Sequence, residues 1–327
     1  VYKRIIGDLK DSVMLNDNTF RPQFDFDGST ALLQAFAHHQ YRPNDKISMG
    51  FGIHYQQFMQ NNSFSAEPRF GIKYRLNGRN SFNLGYGLHS QISPIFSYFY
   101  MAKLDDGTLV KTNQELGLTK NHHFIGGYDF KINEFTRLKV ESYYQQIFDA
   151  PIDAQESNSF TMLNNGASFL FQTPEYLTNS GEGKNYGVEL TLERFLNNGF
   201  YFLATGSLFD SKYTGSDNIE HNTAFNSNYV VNGLIGKEFV FTGGKTRKTL
   251  SSDVKTTYAG GKRTTPYTLA HNANTGYYER DWDETRAFSI KLKDYTKTDL
   301  KISFKMSGER VSQEWALEFT NLLNNKN

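Results

Sequence analysis

The stretch Lys46–Ser93, KISMGFGIHYQQFMQNNSFSAEPRFGIKYRLNGRNSFNLGYGLHSQIS, decides the fold. Ile47, Met49, Phe51, Ile53 and Tyr55 alternate with Lys46, Ser48, Gly50, Gly52, His54 and Gln56. Phe64, Ala66, Pro68, Phe70, Ile72, Tyr74 and Leu76 then alternate with Ser65, Glu67, Arg69, Gly71, Lys73 and Arg75. After the turn sequence Asn77-Gly78-Arg79-Asn80, Phe82, Leu84, Tyr86 and Leu88 alternate with Ser81, Asn83, Gly85, Gly87, His89 and Gln91. Successive side chains of a strand point to opposite faces, so each run is a ribbon with one apolar and one hydrophilic face. Each ribbon has about 11–14 residues. Soluble strands average about 5–6, whereas a tilted strand crossing a bilayer needs about 9–11. Length, more than alternation, points to an all-β, antiparallel transmembrane barrel.

Composition agrees. Hydrophobic residues make up only 38% of the 327 residues, yet aromatics reach 15%, nearly all Tyr and Phe. Mean hydropathy is -0.58. A barrel accounts for both, since half of each strand faces a wet lumen and aromatics form girdles at the interfaces. No apolar run approaches the ~18 residues of a spanning helix. A net charge of +1 without a Lys/Arg block gives no reason to expect nucleic acid. The absence of cysteine excludes disulfides and thiolate metal sites.

Working outward, the same pattern recurs at Ser29–Tyr41, His122–Ile132, Thr136–Phe148, Asn185–Phe195, Leu250–Tyr258, Thr298–Met306 and Ser312–Thr320. Phe200–Tyr213 and Asn228–Phe241 are apolar enough for strands whose faces stay unassigned. Residues 1–27 are polar, with a strand near Asn18–Phe26 and a turn signal at Asp25-Phe26-Asp27-Gly28. The total is about 12–13 strands. Short connections at Arg42–Asp45, Asn77–Asn80, Asn133–Glu134, Asn197–Gly199, Gly243–Arg247 and Ser307–Arg310 alternate with long ones near 93–121, 150–184, 214–226 and 260–297. A shorter link falls at Gln60–Ser63. Short turns at one rim and long loops at the other match the periplasmic and extracellular ends of an outer-membrane barrel. Apolar faces then meet lipid, and Glu67, Arg69, Lys73 and Arg75 line the lumen.

Sites of chemistry are few. His38-His39 and His122-His123 resemble ligand pairs, but strand neighbours face opposite ways, so no metal site is assigned. Asp105-Asp106 and Asp281-Trp282-Asp283-Glu284 are acidic enough for Ca²⁺, and a solvated loop is the plainer reading. Lys262, Arg263, Tyr267, Tyr277, Tyr278 and Trp282 form the candidate ligand-binding set, in the 260–297 loop; interface girdles supply aromatics equally well. Gly126-Gly127, Gly243-Gly244 and Gly260-Gly261 lack the strand–loop–helix setting of a phosphate cradle. No Gly-x-Ser-x-Gly elbow supports hydrolysis. No cofactor and no catalytic residue are assigned.

The segment NYGVELTLERFLNNGFYFLATGSLFDSKY (Asn185–Tyr213) resembles the barrel of TonB-dependent outer-membrane receptors, in a class often carrying an N-terminal carboxypeptidase-regulatory-like domain. The resemblance continues through NTAFNSNYVVNGLIGKEF (Asn222–Phe239), DVKTTYAGGKRTTP (Asp253–Pro266), DYTKTDLKISFK (Asp294–Lys305) and EWALEFTNLLNNKN (Glu314–Asn327). Upstream it includes FDFDGSTALLQAFAHHQYR (Phe24–Arg42), EPRFGIKYRL (Glu67–Leu76), GYGLHSQ (Gly85–Gln91) and NHHFIGGYDF (Asn121–Phe130). It implies a 22-stranded barrel filled by a plug, taking up siderophores, cobalamin or glycans with energy passed through TonB. Outer-membrane lipid, a small-molecule or oligosaccharide ligand, and TonB acting through the plug are the implied partners. The chain departs from that pattern: no plug, TonB-contacting segment, final aromatic-ended strand or secretion signal is visible in these residues. Residues 1–327 are therefore expected to be one partial barrel domain. The competing readings are a passive porin of about 12 strands, a barrel enzyme, and an amphipathic soluble β-protein.

Overall fold

The computed structural model describes residues 1–14, 20–167, 174–243, 246–272 and 276–326. Its strands in chain order begin with β1 (Tyr2–Met14), β2 (Phe20–Asn44), β3 (Ile47–Phe58), β4 (Phe64–Arg75) and β5 (Asn80–Gln91). A helical turn, Ile95–Tyr98, and the hairpin β6 (Met101–Lys103) and β7 (Leu109–Lys111) follow. Next come β8 (Thr119–Lys131), β9 (Thr136–Asp153), β10 (Leu177–Asn197), β11 (Phe200–Thr214) and the short β12 (Glu220–Asn222). After β13 (Tyr229–Gly243) and β14 (Thr246–Ala259), a long loop carries β15 (Arg263–Thr264), β16 (Tyr267–His271), β17 (Tyr278–Trp282) and β18 (Ile290–Lys291). The chain closes with β19 (Tyr295–Ser307) and β20 (Ser312–Phe319).

Thirteen long strands and the short β12 form one 14-stranded sheet in which every long strand pairs antiparallel with its neighbours along the chain. Among the described residues β1 and β20 are its unpaired edges, so the sheet is an open barrel wall. No described helix is long and apolar enough to cross a membrane.

Two expectations at the start of the chain need correction. Asp25-Phe26-Asp27-Gly28 is not a turn: it lies inside the 25-residue β2 and pairs with Gly7–Lys10 of β1. The strands expected near Asn18–Phe26 and over Ser29–Tyr41 are one continuous strand, β2; Asn18 itself lies outside the described residues, as do Gly244 and Lys245 of the expected Gly243–Arg247 turn. The strand Tyr2–Met14 was unreadable because Lys3, Arg4, Asp8, Lys10 and Asp11 spread charge over both faces, so period-two contrast is lost. Strands β9 and β10 likewise run farther toward the long-loop rim than expected, to Asp153 and from Leu177.

Register settles the faces. Phe51 pairs with Phe70, and Phe82 with Tyr74 and Tyr128, building aromatic rows across neighbouring strands. Phe51, Phe70, Tyr74 and Phe82 are exposed, as are Ile53 at 52% and Leu84 at 62%, and Tyr128 is half-buried. The hydrophilic face is the one the long loops cover. Phe58, two positions beyond Gln56 on that face, is fully buried against Tyr98, and a Cβ added at Gly183 would meet Leu163 of loop 154–176 at 2.9 Å. Loops on one face and bare hydrocarbon on the other is the arrangement of a wall with lipid outside. β13 and β14 follow suit, with Val231, Ile235, Phe239, Val254 and Tyr258 on the open side.

The sheet's compact apolar cluster joins β2 and β3 to the loop after β5. Phe26, Leu32, Phe58, Tyr98, Phe99 and Leu116 pack together at the long-loop rim. Phe26 stacks on Phe99 with centroids 4.1 Å apart. The Ser93 backbone N–H donates to the Tyr98 hydroxyl at 3.1 Å, and burial pushes that hydroxyl's pKa up. Farther down the covered face, Gly50, Gly71 and Gly85 stand side by side on β3, β4 and β5.

Candidate functional site

The expected lumen residues part company along β4. Glu67 is 1% exposed and sits at the centre of a hydrogen-bonded group. His54 Nδ1 lies 3.0 Å from its Oε2, and Arg69 Nη2 donates to the same oxygen at 3.0 Å. Gln56 Nε2 donates to Oε1 at 2.9 Å, and Ser90 reaches that oxygen through its hydroxyl at 2.6 Å and its backbone N–H at 3.1 Å. Cross-strand register puts His54 directly opposite Glu67. The carboxylate is saturated and holds β3, β4 and β5 together at this height. Lys73 is exposed on the same face, and Arg75 reaches the Asp45 carbonyl at the short-turn rim. Of these four residues, Arg69 and Lys73 are the ones that offer charge to the covered space.

The histidines separate as strand geometry requires. His38 lies against Gly50 on the covered face, so His39 faces the other way. His122 stacks on Phe148 at 5.0 Å on the lipid side, and His123 lies 6.0 Å from His89 on the covered side. Among the described residues no three His, Asp or Glu side chains are grouped to hold a metal ion.

At the opposite side of the mouth, three loops converge on Tyr213. Its ring is 1% exposed, packed against His221 at 5.5 Å and edge-on to Phe288 at 6.4 Å. His221 Nε2 is 2.7 Å from Asp217 Oδ2. The Ser159 hydroxyl donates to Glu284, and Asn164 accepts from the Ala224 N–H at 2.9 Å. Arg263 belongs to this tie: its Nε donates to the Asn226 carbonyl at 2.7 Å and its Nη2 to Asn228 Oδ1 at 3.0 Å. Arg263 thus anchors loop 260–294 instead of presenting charge to solvent, a departure from the ligand-binding role expected of it. Arg263→Ala should remove about 1–2 kcal/mol of local loop stability, because two acceptors lose a charged donor. Limited proteolysis should then cut within 260–294 while the barrel strands stay protected.

The remaining loop candidates lie on the β16–β17 hairpin. Tyr267 and Trp282 face each other at 5.0 Å, and His271 meets Tyr278 at 5.3 Å. Arg280 rests over both Tyr267, at 4.9 Å, and Trp282, at 5.6 Å. Period two places Tyr267, Leu269, His271, Tyr278, Arg280 and Trp282 on one face, all exposed. Arg280 and His271 are missing from the sequence-derived set, although the alternation Tyr278, Arg280, Trp282 was there to be read. Tyr277 is exposed at the hairpin's turn end. Lys262 lies apart, exposed at the base of the loop beside Arg263. The acidic residues do not converge: Asp281 is on the hairpin's other face, Asp283 faces Arg286, and Glu284 accepts from Ser159. Asp106, beside Asp105 in the β6–β7 turn, accepts from the Thr108 N–H, which holds its carboxyl below the usual range.

Residues 3–324 match the family model described as TonB dependent receptor-like, beta-barrel. The chain belongs to this family. Similar solved structures include the outer-membrane transporter YddB from Escherichia coli, with a TM-score of 0.59 and 12% identity, covering 99% of this chain and 45% of that one. The ferric yersiniabactin uptake receptor FyuA from Yersinia pestis gives 0.59 and 13%, over 91% and 41%. The pyoverdine receptor FpvA from Pseudomonas aeruginosa gives 0.57 and 12%, over 91% and 38%. At such identities the likeness is one of fold. This TonB-dependent receptor barrel spans less than half the length of those structures, and its family makes it an outer-membrane protein. No curated protein matches it in sequence.

Proposed function

We propose that this chain is part of the barrel of an active-transport receptor that captures a scarce small molecule at the cell surface and is energised through TonB. The observation that carries this is the exposed β16–β17 face, where Arg280 is held over Tyr267 and Trp282 at the mouth of the barrel. Arg280 has no carboxylate partner among the described residues, so its charge is free to meet a solute. Aromatic faces with a fixed guanidinium suit a ring-bearing or oxygen-rich ligand. Siderophore, cobalamin and glycan classes all fit that description. The siderophore receptors among the similar structures favour a ferric chelate. Arg69 and Lys73 would line the path below. A plug segment of the whole receptor would close that path and open it when TonB pulls. The chain's own part is recognition and a rigid wall, with no catalytic step.

The test uses the full-length receptor and Trp282 fluorescence, titrated with ferric siderophores, cobalamin and oligosaccharides. One ligand class should give saturable quenching, and Arg280→Ala should weaken it about tenfold, the scale of one charged hydrogen bond. Uptake of that ligand in cells lacking TonB would overturn the energised mechanism in favour of passive entry.

A further inference from the structure

The lipid side of β5, β8 and β9 changes character toward the long-loop rim. Phe82 lies 5.0 Å from Tyr128, and Tyr86 5.0 Å from Phe124. Higher up, His122 sits between Tyr86 and Phe148, with its Nδ1 3.0 Å from the Tyr86 hydroxyl. Above it, Lys120 Nζ lies 5.8 Å from the centre of the Phe148 ring and 2.9 Å from Asp149 Oδ2. Period two puts Lys120 on the same side as His122, Phe124 and Tyr128. Hydrocarbon thus gives way to amphipathic rings and then to an ion pair, which is the profile of a membrane surface.

A groove of about 320 Å³ opens at this level, lined by Asn62, Ser63, Phe64, Lys120, Asp149 and Asn179. Its walls are fixed from behind. Asn61 Nδ2 donates to the carbonyls of Gln114 and Leu116, and Asn179 Oδ1 accepts from the Gly117 N–H at 2.8 Å. Two polar groups remain available on the open side. The Lys120 ammonium gives one proton to Asp149 and keeps two. The exposed Asn62 amide lines the same groove, whereas the Ser63 hydroxyl is closed off from it. Phe64, 62% exposed, heads the apolar face running down β4.

We propose that this groove seats the phosphorylated sugar headgroup of an outer-leaflet glycolipid, with its acyl chains descending over Phe64 and Ala66. The groove is continuous with the lipid-facing belt, so a lipid reaches it without leaving the membrane. Lys120 meets a phosphate oxygen, and the Asn62 amide meets a sugar hydroxyl. Asp149 holds the ammonium over Phe148 and so fixes the direction of its free donors. The site lies on the outside of the wall, and its occupancy is independent of any solute taken up through the mouth.

Native mass spectrometry of the full-length receptor in detergent tests this, with bisphosphoryl lipid A, its fully dephosphorylated form and phosphatidylethanolamine as probes. The wild type should hold bisphosphoryl lipid A in preference to the other two. Lys120→Ala should lower that affinity about fivefold to tenfold, the scale of one charge-assisted hydrogen bond, and leave the other two unchanged. Asn62 has φ 58°, a conformation aspartate accepts, so Asn62→Asp should fold normally and repel the phosphate to a similar extent. If Lys120→Ala fails to fold, as shown by lost heat-modifiable mobility, Asn62→Asp decides by the same ratio. Unchanged affinity in the deciding variant, or an equal loss for all three lipids, would overturn the proposal and leave only general lipid contact.

Discussion

Glu67→Ala should destabilise the barrel by about 3–5 kcal/mol, the scale seen when one partner of a buried charged group is removed. The carboxylate accepts from Gln56, Ser90 and Arg69 and faces His54, so its loss strands the buried Gln56 amide and removes a tie among three strands. Glu67→Gln should cost less, since one oxygen still accepts from Ser90 and Gln56 while the new amide can donate to His54 Nδ1, and only Arg69 loses its acceptor. Urea unfolding in lipid vesicles reads both variants. A midpoint for Glu67→Ala equal to that of the wild type would show that the network contributes nothing to the wall.

Ile53→Lys should cost about 2–4 kcal/mol, because it places an ammonium in hydrocarbon near the middle of β3. The same lysine at Leu190 on β10 should cost a similar amount. One residue farther on, Thr191→Lys should cost far less, since its face carries Glu189 and Glu193 and looks away from lipid. Gln56→Lys has the right face for such a control but the wrong surroundings. Gln56 is 4% exposed and donates to Glu67 and the Ser90 carbonyl, so a lysine there disrupts the network. Comparable folding yields of the Leu190 and Thr191 variants in vesicles would contradict the assignment of faces.

What could be read without coordinates is what repeats. Strands that cross hydrocarbon must alternate, and β3, β4, β5, β8 and β19 announced themselves by doing so. Where a strand leaves the membrane the constraint lapses: Tyr2–Met14 and the outer ends of β9 and β10 went unseen, and the outer end of β2 was read as a separate strand. Burial on the wet face was equally silent, because Glu67 alternates like Arg69 and only the neighbouring strands make it an enclosed acceptor. Loop contacts are farther still from sequence logic. Arg263 looked like a ligand contact because it is basic and close to tyrosines; its acceptors, Asn226 and Asn228, lie some 35 residues away in another loop. Tyr267 and Trp282 were found because an aromatic-rich loop stands out, while Arg280 between them was hidden among ordinary surface charges.

The neighbouring glycines of β3, β4 and β5 leave bare main chain on the inner side of the wall. A methyl group placed on Gly71 or Gly85 would find its nearest neighbour only at 3.9 or 3.8 Å, so both positions have room. The interior is therefore lopsided, scooped out on this flank by about the thickness of a side chain. Whatever occupies or traverses it meets peptide dipoles there, and bulk grafted onto these two positions would narrow the passage without bending the strands.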